Sequence, residues 1–217
     1  MRERPIICRD DEVRAFLEGR KTRLRRPITP VFSDAFPGVP LFKVDGGIHV
    51  PLNDAVALTS AFPRHCPFGV AGDRLWVREC FATVPWNSGA ERHIPTNDHD
   101  EQGVRFRATW DKSHSKPWRS SSQMPRWASR VTLEITNVRV ERLQDITKQD
   151  AISEGVKRVD LGQGFLSDAR CAFRDAWDHA YGESINAKTG EPNDPQKVPF
   201  AWRQNPFVWV IAVEVRT

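Results

Sequence analysis

The sequence has no apolar run approaching the roughly 18 to 20 residues with which a helix crosses a bilayer, and Met1-Arg2-Glu3-Arg4-Pro5 is not the apolar stretch of a secretory leader. A membrane role and export are set aside, and the cytoplasm is the expected compartment. The four cysteines, Cys8, Cys66, Cys80 and Cys171, make no CxxC pair, which suits a reducing compartment and removes the paired thiolates that structural zinc sites use. Histidine supplies no better ligand set. His65 stands beside Cys66, while His93 and His99 lie in a polar stretch without the i, i+4 spacing of a helical metal motif. Phosphate-cradling glycine loops are missing as well: Gly162-Gln163-Gly164 lacks the third glycine of a dinucleotide fingerprint, and there is neither a Walker loop nor a Gly-x-Ser-x-Gly elbow. No metal and no cofactor are expected.

What is present is a chain of 217 residues, within the range of one domain, 1–217, with one core. Charged residues at 28% and hydrophobic residues at 39% are ordinary for a globular protein, and 16 prolines imply long polar loops. The net charge of +4 permits a nucleotide or nucleic-acid partner without demanding one, because the excess is local.

That excess sits in Gly19-Arg20-Lys21-Thr22-Arg23-Leu24-Arg25-Arg26, where five of the last seven residues are cationic. A short helix precedes it. Asp10 or Asp11 can cap its N-terminus, Val13, Phe16 and Leu17 recur at helical spacing, and Gly19 falls where a C-terminal cap belongs. Lys21 is thus held just past a helix end by an anchored backbone. On charge alone the stretch also reads as a solvated basic turn.

In chain order, Pro5-Ile6-Ile7-Cys8 reads as a strand, and residues 41–44 and 47–50 flank an Asp45-Gly46 turn as a hairpin. Residues 74–79 form a strand that sends Leu75 and Val77 to one face and Trp76 and Arg78 to the other. Residues 84–125 are a polar insertion, flap or mobile loop, with one strand at 104–108. The clearest strand spans 130–143, with a change of phase at Thr136-Asn137 that predicts a bulge. Thr147 and Asp150 open a short helix with Ala151 and Ile152 inward and Gly155 as its terminator. Ser167 caps a longer helix whose Ala169, Phe173, Ala176 and Trp177 make a core face, and residues 207–215 close the chain as a strand apolar on both faces. With no repeat and no alternating strand–helix rhythm, the class is α+β, mainly β, best fitted by a small β-barrel with flanking helices and long loop insertions.

Two features suggest chemistry. Glu154 falls in the last turn of its helix, where the dipole favours cations, so a nearby cation or a functional demand is needed to explain it. Lys21, crowded by Arg20, Arg23, Arg25 and Arg26, is a candidate base, since like charges disfavour the ammonium. No rule of spacing brings residues 21 and 154 together. Of the eight tryptophans, Trp76, Trp177 and Trp209 read as core; Trp86, Trp110, Trp118 and Trp202 lie in or beside loops, able either to staple them or to stack on bases.

Leu17-Glu18-Gly19-Arg20-Lys21-Thr22, Gly72-Asp73-Arg74-Leu75-Trp76-Val77-Arg78-Glu79, Met124-Pro125-Arg126-Trp127-Ala128-Ser129-Arg130, Arg142-Leu143-Gln144-Asp145-Ile146, Ala151-Ile152-Ser153-Glu154-Gly155 and Asn205-Pro206-Phe207-Val208-Trp209-Val210 together resemble the long ASCH-domain proteins of phages and prophages. The resemblance implies a PUA-like barrel. It also implies one of three activities: binding of RNA or a modified nucleobase, ribonuclease action, or metal-free amide hydrolysis that removes the acyl group from 4-N-acetylcytidine. In the amidohydrolases a lysine, a threonine and a glutamate form the catalytic set; the lysine falls on Lys21, the glutamate on Glu154 and the threonine on Leu24. Gly19, Lys21 and Arg26 keep the broader pattern, whereas Leu24 cannot be nucleophile, base or hydrogen-bond partner. Thr22 or a lysine-activated water is the expected substitute, with Arg26 or Arg78 steadying an oxyanion and Arg20, Trp76 and Glu79 completing the substrate site. The expected partner is a small nucleoside or nucleobase, with RNA as the alternative.

Overall fold

The strand that is apolar on both faces divides the interior. In a computed structural model that describes residues 1–29, 41–43, 49–51, 62–85, 90, 92–93, 102–110, 117–157, 168–182 and 200–216, the elements run β1 (Glu3–Ile7), α1 (Asp10–Leu17), β2 (Arg23–Pro27), β3 (Leu41–Lys43), β4 (His49–Pro51), β5 (Arg74–Arg78), β6 (Phe81–Pro85), β7 (Arg92–His93), β8 (Gln102–Phe106), β9 (Thr132–Arg142), α2 (Lys148–Ser153), α3 (Ala169–Tyr181) and β10 (Phe207–Arg216). Trp209, Ile211 and Val213 of β10 enter one cluster with Val13, Phe16, Leu24, Leu75, Val77, Leu133 and Ile135. Val208 and Val210 enter another with Phe173 and Trp177 of α3. Each such side chain, fully buried, contributes roughly 1.5–3 kcal/mol.

The main sheet has the order β1-β5-β9-β10-β2. The β1–β5 ladder is parallel, and the β5–β9, β9–β10 and β10–β2 ladders are antiparallel. Opposite Ala212 and Val213 the register jumps from Asn137 to Ile135, which leaves Thr136 as the bulged residue; the change of hydrophobic phase is its sequence signature. The α+β, mainly-β expectation holds, but the described strands do not close into a barrel. β1 and β2 remain the two edges of the sheet. Where a closing ladder would run, the Arg26 guanidinium of β2 donates to the Ile7 carbonyl of β1 at 3.1 Å.

Several local expectations are corrected. α1 is capped at Arg9, with Asp10 and Asp11 inside its first turn, and the Arg9 N–H donates to Glu12 Oε2 at 3.1 Å. Leu17 and Ile152 face solvent rather than the core, since successive residues of a helix point to different faces and Phe16 and Ala151 take the buried one. Asp168, not Ser167, caps α3 and accepts from the Arg170 and Cys171 amides at 2.8 and 3.3 Å. The 84–125 region is less of a loop than its composition implies: β6, β8 and β7 make a small sheet in that order. Phe81, Val104 and Phe106 pack there against Met124 and Ala128. β3 and β4 pair antiparallel as the hairpin reading requires; its Asp45-Gly46 turn, like Trp86, lies outside the described residues. Among those residues no helix is long and apolar enough to cross a membrane.

Candidate functional site

Gly19, at φ 70°, ends α1 in the left-handed region. The amides of Arg20 and Lys21 then both donate to the Ala15 carbonyl, at 2.9 and 3.0 Å, which turns the chain back across the helix end. Lys21 forms an isolated antiparallel bridge with Glu154, and the Thr22 amide donates to Ser153 O at 2.8 Å. The entry to β2 is thereby clipped to the C-terminus of α2. Thr147 caps α2, its hydroxyl accepting from the Asp150 amide at 3.0 Å, and Gly155 terminates it at φ 77°. A Cβ on Gly155 would lie 2.8 Å from Ala15 Cβ and 2.9 Å from Lys21 Cβ, so glycine lets the two helix ends meet.

The meeting places Lys21 and Glu154, 4% and 6% exposed, side by side. Lys21 Nζ donates to Glu154 Oε2 at 2.7 Å and to the Glu154 carbonyl at 3.0 Å. Arg25 Nη1 donates to the other carboxylate oxygen at 2.9 Å. Two buried cations therefore explain a carboxylate at a helix C-terminus. On its far side Arg25 pairs with Glu141 and Asp150, and Asp150 also takes Arg23. Lys21 Nζ has a second carboxylate, Glu12 Oε1, at 3.6 Å, and lies 5.8 Å from the Phe16 ring centroid. The arginines expected to crowd the Lys21 ammonium instead turn to carboxylates. Arg26 takes Glu12 at 2.9 and 3.2 Å, and Arg20 takes Glu18 at 2.5 Å.

Burial pushes the Glu12 carboxyl up, but Arg26 and Lys21 beside it win and hold it at about 2. Burial works against the Arg26 charge too, yet Glu12 raises it well above its ordinary value. Burial drives the Cys8 thiol up to about 12, helped by the Glu12 charge, so Cys8 is no nucleophile.

Lys21, Glu154, Glu12, Arg25 and Arg26 line a cavity of about 310 Å³ whose other wall is α3, through Ala172, Phe173, Ala176, Trp177 and Tyr181. The size is at the low end for small-molecule sites. Phe173 and Trp177 lie 5.9 Å apart, centroid to centroid, and Trp177 and Tyr181 4.5 Å apart; the Trp177 indole N–H donates to Phe200 O at 2.7 Å. Seven cations and three carboxylates face this cavity, which favours a ligand rich in acceptors or negative charge.

Arg20 and Arg26 are in these walls. Thr22 is not: its side chain is exposed, while its amide and carbonyl are bound to Ser153 and Val213. Leu24 is fully buried in the core, turned away from the cavity. Trp76, Arg78 and Glu79 belong to neighbouring surfaces. Glu79 is buried against Arg130, which donates twice at 2.9 Å. Trp76 is half-buried rather than core, between the Arg78 and Arg126 guanidiniums at 5.4 and 5.9 Å. Trp110 and Trp202 staple, the first under Arg105 at 4.0 Å and the second edge-on to Phe173 at 6.2 Å.

Glu12, Arg25 and the aromatic face of α3 are the residues that sequence reasoning passed over. Phe173, Trp177 and Tyr181 recur every fourth residue, a stripe that reads as core and here also walls a cavity. No cluster of three metal-ligating side chains is formed among the described residues. His65 Nδ1 is buried without a hydrogen-bond partner, and burial pushes the adjacent Cys66 thiol up to about 11. His99 lies outside the described residues. Comparison of the chain with family models, with curated proteins and with solved structures gives no match.

Proposed function

We propose that the chain is an amidohydrolase that removes the acyl group from a 4-N-acylated cytosine or cytidine without a metal, and that its open sheet with α1 is a PUA-like, ASCH-type scaffold. The observation that carries the proposal is the buried Lys21–Glu154 pair, 2.7 Å apart, in a cavity walled by aromatic rings. At 2.7 Å the two groups have the hydrogen-bond geometry along which a proton can be exchanged. Glu154 takes the ammonium proton, and the neutral Lys21 amine removes a proton from water as the water oxygen bonds to the acyl carbon. Arg26, in the cavity wall, steadies the oxyanion. Collapse breaks the carbon–nitrogen bond, and Glu154 returns its proton to the exocyclic nitrogen that leaves. Lys21 and Glu154 end in their starting states, and the products are a carboxylic acid and the free base. The planar base has Phe173, Trp177 and Tyr181 to lie against.

Leu24 favours a second reading. With the third position of the family's set buried in the core, the cavity offers no hydroxyl there, and it suits a modified base or RNA nucleotide that is bound and not cleaved. Ultraviolet-monitored conversion of 4-N-acetylcytidine to cytidine in excess chelator separates the two. Turnover abolished by Lys21→Ala and by Glu154→Gln supports hydrolysis. Folded protein that binds the nucleoside without turnover, across a panel of acyl groups, supports binding alone.

A further inference from the structure

A second cavity, about 460 Å³, adjoins the first and shares Arg9, Glu12, Arg26 and Tyr181 with it as walls. Tyr181 walls both, so a ligand lying on that residue in the first cavity is next to the second. Pro5, Ile6, Ile7 and Phe68 make the second cavity largely apolar, but three arginines, Arg9, Arg26 and Arg78, line it against one acidic residue, Glu12. That carboxylate is already held by Arg26 at 2.9 and 3.2 Å. Arg9 holds Asp11 at 3.1 Å in a pair whose side chains are 37% and 57% exposed, a kind of contact that solvent weakens and that yields easily to a better partner.

Arg78 differs from both. Among the described residues no carboxylate pairs with it. Its Nη2 donates to the Ser122 carbonyl, its Nε is buried without a hydrogen-bond partner, and its guanidinium lies over the Trp76 ring at 5.4 Å. A buried charged donor without an acceptor is costly. A tetrahedral anion meets the planar fork of a guanidinium with two parallel hydrogen bonds and gives the Arg78 charge the counter-charge that no carboxylate among the described residues supplies.

We propose that the second cavity binds a phosphate carried by the same substrate, with Arg78 as its main charge partner and Arg9 in support. The inference rests on the nucleobase reading of the first cavity and extends it: the ligand is a nucleotide, its phosphate either the monoester of a free nucleotide or the diester of a strand.

The test is an equilibrium titration of the full chain at fixed salt with cytidine, cytidine 5′-monophosphate and a cytidine dinucleotide. The unaltered protein, Arg78→Ala and Arg78→Lys are compared, with a thermal melt for each to confirm folding. One charge-assisted phosphate contact predicts at least about tenfold tighter binding of the monophosphate than of cytidine. The ratio of the two affinities falls to near one in Arg78→Ala and is partly kept in Arg78→Lys. A gain from the dinucleotide but not from the monophosphate assigns the phosphate to a strand. Equal affinities in the unaltered protein, no binding of any of the three, or a preference that survives Arg78→Ala overturns the proposal. Hydrolysis of acylated nucleoside without a phosphate preference keeps the activity and ends the phosphate site; a phosphate preference without hydrolysis does the reverse.

Discussion

Lys21 Nζ donates both to the carboxylate of Glu154 and to its backbone carbonyl, at 2.7 and 3.0 Å, so one residue at the end of a short helix holds the ammonium twice. The carboxylate is shared with Arg25, so losing the carboxylate and losing the ammonium expose different things. Glu154→Gln leaves both buried cations without their common charge and is expected to cost about 3–5 kcal/mol. Lys21→Met leaves Glu154 with Arg25 and costs less, about 1–3 kcal/mol. Urea unfolding followed by tryptophan fluorescence checks the order, and the reverse ranking contradicts it.

Gly155→Ala places a methyl group 2.8 Å from Ala15 Cβ and 2.9 Å from Lys21 Cβ at a φ of 77°. Strain and overlap together predict a loss of about 2–4 kcal/mol. Because the overlap falls on Lys21 itself, whatever protein remains folded is expected to lose the proposed hydrolysis out of proportion to its stability. Parallel melting and turnover measurements read both effects.

Leu24→Thr supplies the threonine that the proposed hydrolytic set calls for at this position, yet the side chain points into the core, fully buried beside β10. The expected outcome is destabilisation by about 2–4 kcal/mol, from lost packing and a buried hydroxyl, with no gain in hydrolysis. A rise in turnover without loss of stability would show that the hydroxyl reaches the cavity.

Acid should unfold the protein partly through Glu12. Its native carboxyl is held at about 2 against an ordinary 4.5, so the native state binds this proton less tightly than the unfolded chain does. The stability it supplies, about 3 kcal/mol, is complete above about pH 4.5 and is lost as pH falls toward 2. Glu12→Gln removes that part of the pH dependence, so the difference in stability between the two proteins is expected to narrow as pH falls from 5 toward 2. A difference that stays constant across this window argues against the Arg26–Glu12 pair as its source.

The elements legible in the sequence are those set by local rules. The bulge at Thr136 shows as a change of phase, the α2 cap as a threonine three residues before its acceptor amide, and the two-sided burial of β10 as an unbroken apolar run. Glu154 was suspicious by its position alone, and the cations that answer it are Lys21 and Arg25. Contacts across more than a hundred residues obey no spacing rule, which hides the role of Arg25; the partners of Glu12, Lys21 and Arg26, are only 9 and 14 residues away, but they reach it because the chain turns back after α1, which no helical or strand spacing encodes. The open sheet is illegible for a similar reason: whether β1 and β2 pair is set by the tertiary arrangement, not by the strands' own pattern. Thr22 failed as a cavity residue because alternation in an extended chain sends it away from Lys21's side, a rule that was available.

Strand β10 has one further consequence. Trp209 and Ile211 belong to one hydrophobic cluster while Val208 and Val210 belong to the other, and both neighbours of β10 in the sheet, β9 and β2, depend on its hydrogen bonds. Loosening this one strand dissolves both cores at once. Neither half can melt by itself, so the amides of β10 are expected to exchange with solvent only when the whole molecule unfolds, and their protection measures the global free energy.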